Sequence, residues 1–293
     1  MFCKYLIGGH LVCINFCGQK PELSSGYAPF STDNADEPLL YVNVNDAFHF
    51  QNKGIELGQA DCNGILISIC RQPDGGYQFK VADERETCAI LQATPDFTKC
   101  DVALPTQNPE QRTFGLNNAL MIAYAFATAT HSTVLIHASV IRNNQKAYLF
   151  LGKSGTGKST HSQLWLKYIP GSDLMNDDNP IVRVIDGKVI VYGSPWSGKT
   201  PCYRNVSAEV GAFIQLTQYP KNEISRQNVA QSLAYLLPSI STMKGDDEIY
   251  KAHCDTIATI ITLTPIYHLF CLPDEAAALL CHRTVTQNES KNP

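Results

Sequence analysis

The stretch "YLFLGKSGTGKST", Tyr148 to Thr160, decides the fold that this sequence predicts. An apolar run leads into a glycine-rich segment, and a helical pattern starts near Lys158. Glycine lets the backbone adopt angles at which several N–H groups point at one anion, and the N-terminus of the next helix adds its dipole. A strand, a G-x-x-x-x-G-K-[ST] loop and a helix in this order are typical of a phosphate loop. The segment is therefore predicted to bind a nucleotide.

Each residue of the loop has an expected role. Lys158 would reach the β- and γ-phosphates and Ser159 would hold Mg²⁺, so ATP and Mg²⁺ are the expected cofactors. The nucleotide-binding residues expected from the pattern are Gly152, Lys153, Ser154, Gly155, Thr156, Gly157, Lys158, Ser159 and Thr160.

A second stretch, "GSPWSGKT" from Gly193 to Thr200, matches the same pattern. Pro195 has no N–H to donate, Trp196 puts a bulky ring where backbone must approach phosphate, and Pro201 opposes a helix that starts at Lys199. This stretch is expected to be a turn at a strand end beside the true loop.

The composition of the chain limits the classes of protein to which it can belong. The chain has 293 residues, 17% charged residues and a net charge of -4, which gives no electrostatic case for nucleic acid or an anionic membrane. Its 11 cysteines include no C-x-x-C pair, so reduced thiols in a cytoplasmic protein are expected. The first 18 residues are interpreted as a strand and its turn, and the apolar run from Ala119 is too short to span a bilayer. We expect no membrane partner.

Two domains are predicted, a β-rich one over 1–110 and a nucleotide-binding one over 111–293. Short apolar runs around the turn "PDGG" indicate hairpins in the first. Prolines between Thr94 and Arg112 indicate a connecting arm, and a buried helix is expected from Asn117. Four strands follow, "TVLIHASVI", "KAYLFLG", "NPIVRVI" and "KVIVYG", with one helix between the second and third.

Phosphoryl transfer also needs a metal ligand and a base for a hydroxyl acceptor. Asp177 and Asp178 lie in "NDDNP" just before a strand, a string that is equally typical of a solvated turn. One carboxylate would hold Mg²⁺ with Ser159 and the other would activate the acceptor. His137, inside an apolar strand, is either a core residue or a catalytic one.

The sequence resembles the HPr kinase/phosphorylase and phosphoenolpyruvate carboxykinase-like P-loop kinases. The resemblance runs from about Thr113 to the C-terminus and is carried by "HASVI", "YLFLGKSGTGKST", "NDDNPIVRV" and "VIVYGSPWSGK". It implies an α/β fold with α+β character whose core is a twisted mixed β-sheet. The β-rich N-terminal domain that precedes this core is outside the resemblance. Thr160 stands where those kinases carry Glu, and their second signature motif is missing, so phosphorylase activity is not expected.

The resemblance also implies roles in the site. Asp177 would be the general base, oriented by His137, and Asp178 would support the metal. Which aspartate is the base and which the metal ligand stays open. Lys199 and Arg204 are the cations expected to neutralise the transferring phosphoryl group or to bind an acidic acceptor, with an exposed rim position as the alternative.

The predicted function is an ATP-dependent kinase that acts on a Ser or Thr of a protein or peptide, or on a small alcohol. Two alternatives remain, a nucleotide-sensing or peptide-binding module without turnover and a small-molecule kinase or carboxykinase-like enzyme. Association into a homo-oligomer is left open.

Overall fold

The computed structural model describes residues 1–17, 23–50, 54–61, 64–198 and 200–287. The chain divides into two compact units, one of residues 1–130 with 242–250 and one of residues 131–241 with 251–293. Their strands are β1 (Phe2–Ile7), β2 (His10–Phe16), β3 (Leu40–Val44), β4 (Ile55–Asp61), β5 (Leu66–Arg71), β6 (Tyr77–Ala82), β7 (Thr87–Ala93), β8 (Lys99–Ala103), β9 (Thr133–Leu135), β10 (Ala138–Asn143), β11 (Lys146–Leu151), β12 (Asp173–Asp178), β13 (Ile181–Ile185), β14 (Lys188–Tyr192), β15 (Ser207–Gln218), β16 (Glu223–Arg226) and β17 (Ile266–Cys271). The α-helices are α1 (Pro109–Ala127), α2 (Lys158–Tyr168), α3 (Val229–Leu236), α4 (Asp247–Leu263) and α5 (Glu275–Gln287).

The first unit is a mixed sheet with the strand order β1-β2-β3-β8-β7-β6-β5-β4. Strand β3 pairs in parallel with β2 and β8, and the other neighbours are antiparallel. The expected N-terminal strand and turn are present as the β1–β2 hairpin, with Gly8 and Gly9 at positive φ.

Helix α1 begins earlier than the sequence analysis predicted, inside the expected connecting arm. The Asn108 side chain caps the helix by accepting hydrogen bonds from two first-turn N–H groups, and Pro109 follows it at a position where proline favours a helix start. Phe126 of α1 stacks on Phe79 of β6 and packs against Phe97. The helix therefore belongs to the first unit, which extends to residue 130 instead of 110.

The second unit is a nine-stranded mixed sheet with the order β12-β10-β11-β15-β14-β13-β9, to which β17 and β16 add beside β15. Strands β11, β15 and β17 are parallel, and β10 and β12 run against β11 and β10 respectively. Both sheets are mixed and both units contain helices, so the predicted α/β class is confirmed at that level.

Strand β11 is buried on both faces, which explains its unbroken apolar run. Its alternate residues Ala147, Leu149 and Leu151 join a cluster with Ile257 and Ile260 of α4. Tyr148 and Phe150 join a second cluster on the other face, with Trp165 of α2 and with α5. Packing on both faces fixes the end of β11, from which the glycine loop leaves.

Two local predictions differ from the structure. The segment "TVLIHASVI" forms two strands, because Ile136 donates to Pro180 and His137 donates to Ser239 between them. The acidic pair ends a strand, β12, instead of lying in a turn before one. In the described residues, no helix is both long and apolar enough to cross a membrane.

Candidate functional site

The glycine loop connects β11 to α2 in a conformation that requires glycine. Gly152 has a φ of 148°, and a Cβ there would lie 2.4 Å from the Thr156 Oγ1. Thr156 in turn donates from its hydroxyl to the Lys153 carbonyl at 2.8 Å, which closes the loop on itself. An alanine at position 152 would therefore displace the side chain that closes the loop.

The loop ends at the N-terminus of α2. Gly157 is the N-cap residue, with a φ of 100° and no side-chain cap. The first N–H groups of any α-helix have no partner within the helix, and they carry the positive end of its dipole. The first turn of α2 is therefore suited to binding an anion.

Buried polar contacts hold α2 against the sheet. The Ser162 and Ser139 hydroxyls lie 2.6 Å apart, which ties α2 to β10. Trp165 donates from its indole to His161 Nε2 at 3.2 Å. Burial lowers the pKa of His161 to about 4, so this ring is a neutral acceptor near pH 7. These contacts fix the direction of the helix axis, and with it the orientation of its first turn.

Lys158 points back into the loop. Its Nζ donates to the Gly152 carbonyl at 2.8 Å and lies 2.9 Å from His137 Nε2. Burial lowers the pKa of the amine, while the charges of Asp178 and Asp177 oppose that effect. An ammonium group has no acceptor atom, so the imidazole accepts through Nε2 and carries its proton on Nδ1.

That Nδ1 faces a carboxylate. It lies 2.9 Å from Asp178 Oδ1, and both side chains are about one-third exposed. Asn179 donates to the other oxygen of Asp178 at 2.8 Å. Asp178 has a φ of 155°, unusual for a residue other than glycine, and such strain is concentrated at functional sites.

Asp177 points the other way, because adjacent residues of a strand face opposite sides of the sheet. It is buried, and its Oδ1 accepts a hydrogen bond from Ser159 Oγ at 3.1 Å. The structure thus brings His137 to Asp178, whereas the sequence analysis expected it to orient Asp177. Ser159 likewise contacts Asp177, where Asp178 was expected as its partner.

The second pattern match lies next to these carboxylates. Gly198 donates to the Asp177 carbonyl at 2.6 Å, and a Cβ on Gly198 would lie 3.2 Å from the Asp178 Cβ. Ser194 donates to the Asn179 carbonyl at 2.6 Å. Asn176, buried on β12, donates to the Ser194 hydroxyl at 3.2 Å and to the Trp196 carbonyl at 3.1 Å. We call residues 193–198 the clamp loop, because it holds the backbone on both sides of the acidic pair.

Arg204, one of the two expected cations, is not part of this cluster. Arg204 pairs with Asp173 at 2.8 Å and donates to the Leu174 carbonyl, at the opposite end of β12 from Asp178. The five residue steps from Asp173 to Asp178 span roughly 16 Å of extended strand. Arg142 binds the same carboxylate, so Arg204 belongs to a structural ion-pair group. Lys199 lies outside the described residues.

Of the remaining loop residues, Lys153, Ser154, Gly155 and Thr160 are exposed. Trp196 is buried within the clamp loop, so it does not present a face to a substrate.

Sequence analysis missed three groups of this site. The Ser239 carbonyl holds the His137 amide at 2.6 Å, and Gln218 donates to the Gly155 carbonyl at 3.2 Å. Asn176 was visible beside the acidic pair, but its role depends on the clamp loop. No local pattern marks the first two, because each contact joins segments that are far apart in the chain.

Comparison with known proteins adds little. No family model matches the chain, and no curated protein does. A search of solved structures finds a similarity to the Hpr(Ser) kinase/phosphatase from Coxiella burnetii, at 14% identity and a TM-score of 0.32, covering 53% of this chain and 95% of that one.

Proposed function

We propose that the protein is an ATP-dependent kinase that transfers the γ-phosphoryl group of ATP to a hydroxyl, with Ser or Thr of a protein or peptide as the acceptor. The observation that carries this proposal is the convergence of Lys158, His137 and Asp178, with 2.9 Å between successive partners, beside the uncapped first turn of α2. An anion-binding turn, a cation and a carboxylate in contact are the parts that phosphoryl transfer requires.

The loop and α2 would bind the phosphates. Backbone N–H groups of the first turn would donate to phosphate oxygens, and Lys158 would exchange its bond with the Gly152 carbonyl for the β- and γ-phosphates. The lowered pKa of Lys158 returns toward its ordinary value as phosphate charge approaches the amine.

The oxygen atoms of Ser159 and Asp177 fit Mg²⁺. They lie 3.1 Å apart, and hydroxyl and carboxylate oxygens are the hard ligands that this ion prefers. The described residues contain no group of three His, Cys, Asp or Glu side chains that could hold a metal, so nucleotide phosphates and water would complete the coordination. When bound, Mg²⁺ would neutralise charge on the β- and γ-phosphates.

Asp178 is the proposed general base, with His137 as its positioning residue. The carboxylate is partly exposed and therefore within reach of an acceptor hydroxyl. It would take the hydroxyl proton while the acceptor oxygen bonds to the γ-phosphorus and the bond to the β–γ bridging oxygen breaks, which releases ADP. The Nδ1–H of His137 would hold the carboxylate in place throughout.

The first unit is assigned to acceptor recognition, because the described groups of the catalytic cluster all lie in the second unit. Its sheet carries a polar row across β2, β3 and β8, in which Asn15 donates to Asn43 at 3.2 Å and Asn43 donates to Asp101 at 3.1 Å. Amide and carboxylate groups of this kind suit hydrogen bonds to a peptide backbone.

The experiment that tests the function uses γ-labelled ATP with Mg²⁺ and an extract of the source cells. We expect label in a protein or peptide fraction with the wild-type protein and at least a hundredfold less with Lys158→Ala. Label in a small metabolite would favour the small-alcohol acceptor. ATP binding by the wild type without transfer to any fraction would favour the nucleotide-sensing alternative and contradict the proposal.

A further inference from the structure

A series of aromatic rings ends at the edge of the sheet where the glycine loop lies. Tyr235, His268, Phe270 and Tyr219 follow one another, with ring centroids 5.2, 4.0 and 5.3 Å apart. We call these four residues the aromatic column. Its last ring, Tyr219, is 46% exposed, although the contact with Phe270 fixes its position.

The topology places Tyr219 beside the loop. Strands β11, β15 and β17 are parallel neighbours, so their carboxyl ends lie at one edge of the sheet. The loop follows β11, and Tyr219 follows β15, the neighbouring strand, which continues three residues beyond the level of Leu151. Gln218, the residue before Tyr219, donates its side-chain amide to the Gly155 carbonyl at 3.2 Å. Leu272, 39% exposed, follows β17 at the same edge.

The two sides of β11 differ in chemistry. On one side β10 and β12 carry the polar cluster of His137 and Asp178, which marks the end of the nucleotide where transfer takes place. On the other side β15 and β17 are followed by Tyr219 and Leu272, which expose an aromatic ring and an aliphatic side chain. Ligands of α/β sheets bind outside the carboxyl ends of the strands. A nucleotide with its γ-phosphate at the polar cluster would extend its base toward the apolar side.

We propose that Tyr219 and Leu272 form the base subsite for a purine nucleotide, in which the purine ring stacks on the Tyr219 ring. The inference rests on the proposed nucleotide-binding function and adds to it the element that recognises the base. A flat aromatic ring that its neighbour holds in place loses little entropy when a base stacks on it. Leu272 would cover the edge of the base.

Calorimetric titration with ADP and with inorganic pyrophosphate tests the subsite, because pyrophosphate has the phosphates without the base. The wild type is expected to bind ADP more tightly than pyrophosphate. Tyr219→Ala should weaken ADP binding about tenfold and leave pyrophosphate binding unchanged. Tyr219→Phe, which keeps the ring, should bind ADP as the wild type does.

Val229→Ala is the matched control, since Val229 is a 72% exposed apolar residue on α3 and its truncation should change neither affinity. Circular dichroism checks that each variant is folded. Equal loss of ADP and pyrophosphate binding in a folded Tyr219→Ala variant, or no loss of either, overturns the subsite and leaves the kinase proposal intact. A wild type that binds neither ligand overturns both proposals.

Discussion

His137 Nδ1 lies 2.9 Å from Asp178 Oδ1, and this contact distinguishes the environment of Asp178 from that of its neighbour Asp177. The same imidazole accepts from Lys158 at 2.9 Å, so one ring joins the proposed phosphate-binding cation to the proposed base. Asp177, one residue earlier, is buried against α2 with Ser159. Two aspartates that are adjacent in sequence thus have separate environments, as an acid–base group and a metal ligand require.

Replacement of His137 tests its positioning role. The Asn side-chain amide takes the place of Nδ1–H, so His137→Asn keeps a donor for Asp178 and loses the acceptor for Lys158. We expect His137→Asn to retain several-fold more phosphoryl transfer than His137→Ala, since the latter removes the donor to Asp178 Oδ1 and leaves only the Asn179 bond to the other oxygen. The pH profile of the rate should also shift more in the alanine variant. Equal rates and equal profiles in the two variants would remove the positioning role.

Gly152→Ala should abolish nucleotide binding in a folded protein. A Cβ at this position lies 2.4 Å from Thr156 Oγ1, so the turn that presents the N–H groups must open. Gly187→Ala is the control, because Gly187 also has a positive φ of 72° but nothing lies within 4 Å of its Cβ. The control should lose about 1 kcal/mol of stability and keep its ADP affinity, as measured by calorimetry and denaturant unfolding. Normal ADP binding by Gly152→Ala would contradict the loop assignment.

Ser194→Ala should slow transfer more than it weakens nucleotide binding. The variant loses the hydrogen bond from Ser194 to the Asn179 carbonyl, and the buried Asn176 amide loses one of its two acceptors. Together these losses destabilise the clamp loop by about 1–3 kcal/mol. The carboxylates would then be held less firmly, which lowers kcat while the loop and α2 still bind ATP. Ser207→Ala, at an exposed strand start, is the control. A kcat unchanged from that of the control would show that the clamp loop does not position the acidic pair.

Acid should destabilise the second unit through His161. Burial lowers the pKa of this ring from 6.5 to about 4. Between these values the unfolded chain binds a proton that the folded protein does not, so stability falls as pH decreases from about 6.5 to 4. The loss amounts to roughly 3 kcal/mol. His161→Gln, which keeps an acceptor for the Trp165 indole, should show a smaller loss in urea unfolding over that window. The same pH dependence in both proteins would assign the effect to other groups. His268 is one such group, because burial also lowers its pKa.

Sequence alone predicted the loop because its parts are contiguous. Strand, glycines and helix follow one another in 146–168, so local propensity and the pattern agree. The same reasoning predicts that only the first of the two pattern matches binds phosphate, since Pro195 and Trp196 contradict the backbone chemistry of a phosphate loop. The start of α1 was not predicted, because the prolines of this segment were interpreted as a connecting arm. Proline breaks a helix when it lies in the interior, but Pro109 lies in the first turn, where proline favours a helix.

Which side chains contact one another within the site could not be predicted from the sequence. Which aspartate meets His137 depends on the register of β12 against β10, where Asp178 lies opposite Ala138 and Asp177 opposite Ser139. A shift by one residue would exchange them. Arg204 was misplaced for a related reason, because its partner Asp173 lies thirty-one residues earlier in the sequence, at the far end of a strand that the analysis had not predicted.

The roles of the two aspartates are tested by comparing Asp178→Asn with Asp177→Asn in single-turnover transfer from γ-labelled ATP, together with their ATP affinities and Mg²⁺ dependence. We expect Asp178→Asn to bind ATP as the wild type does and to transfer phosphate 10²- to 10⁴-fold more slowly, since it lacks the base. Asp177→Asn should instead need a higher Mg²⁺ concentration. Transfer at the wild-type rate by Asp178→Asn would contradict the assignment of Asp178 as the general base.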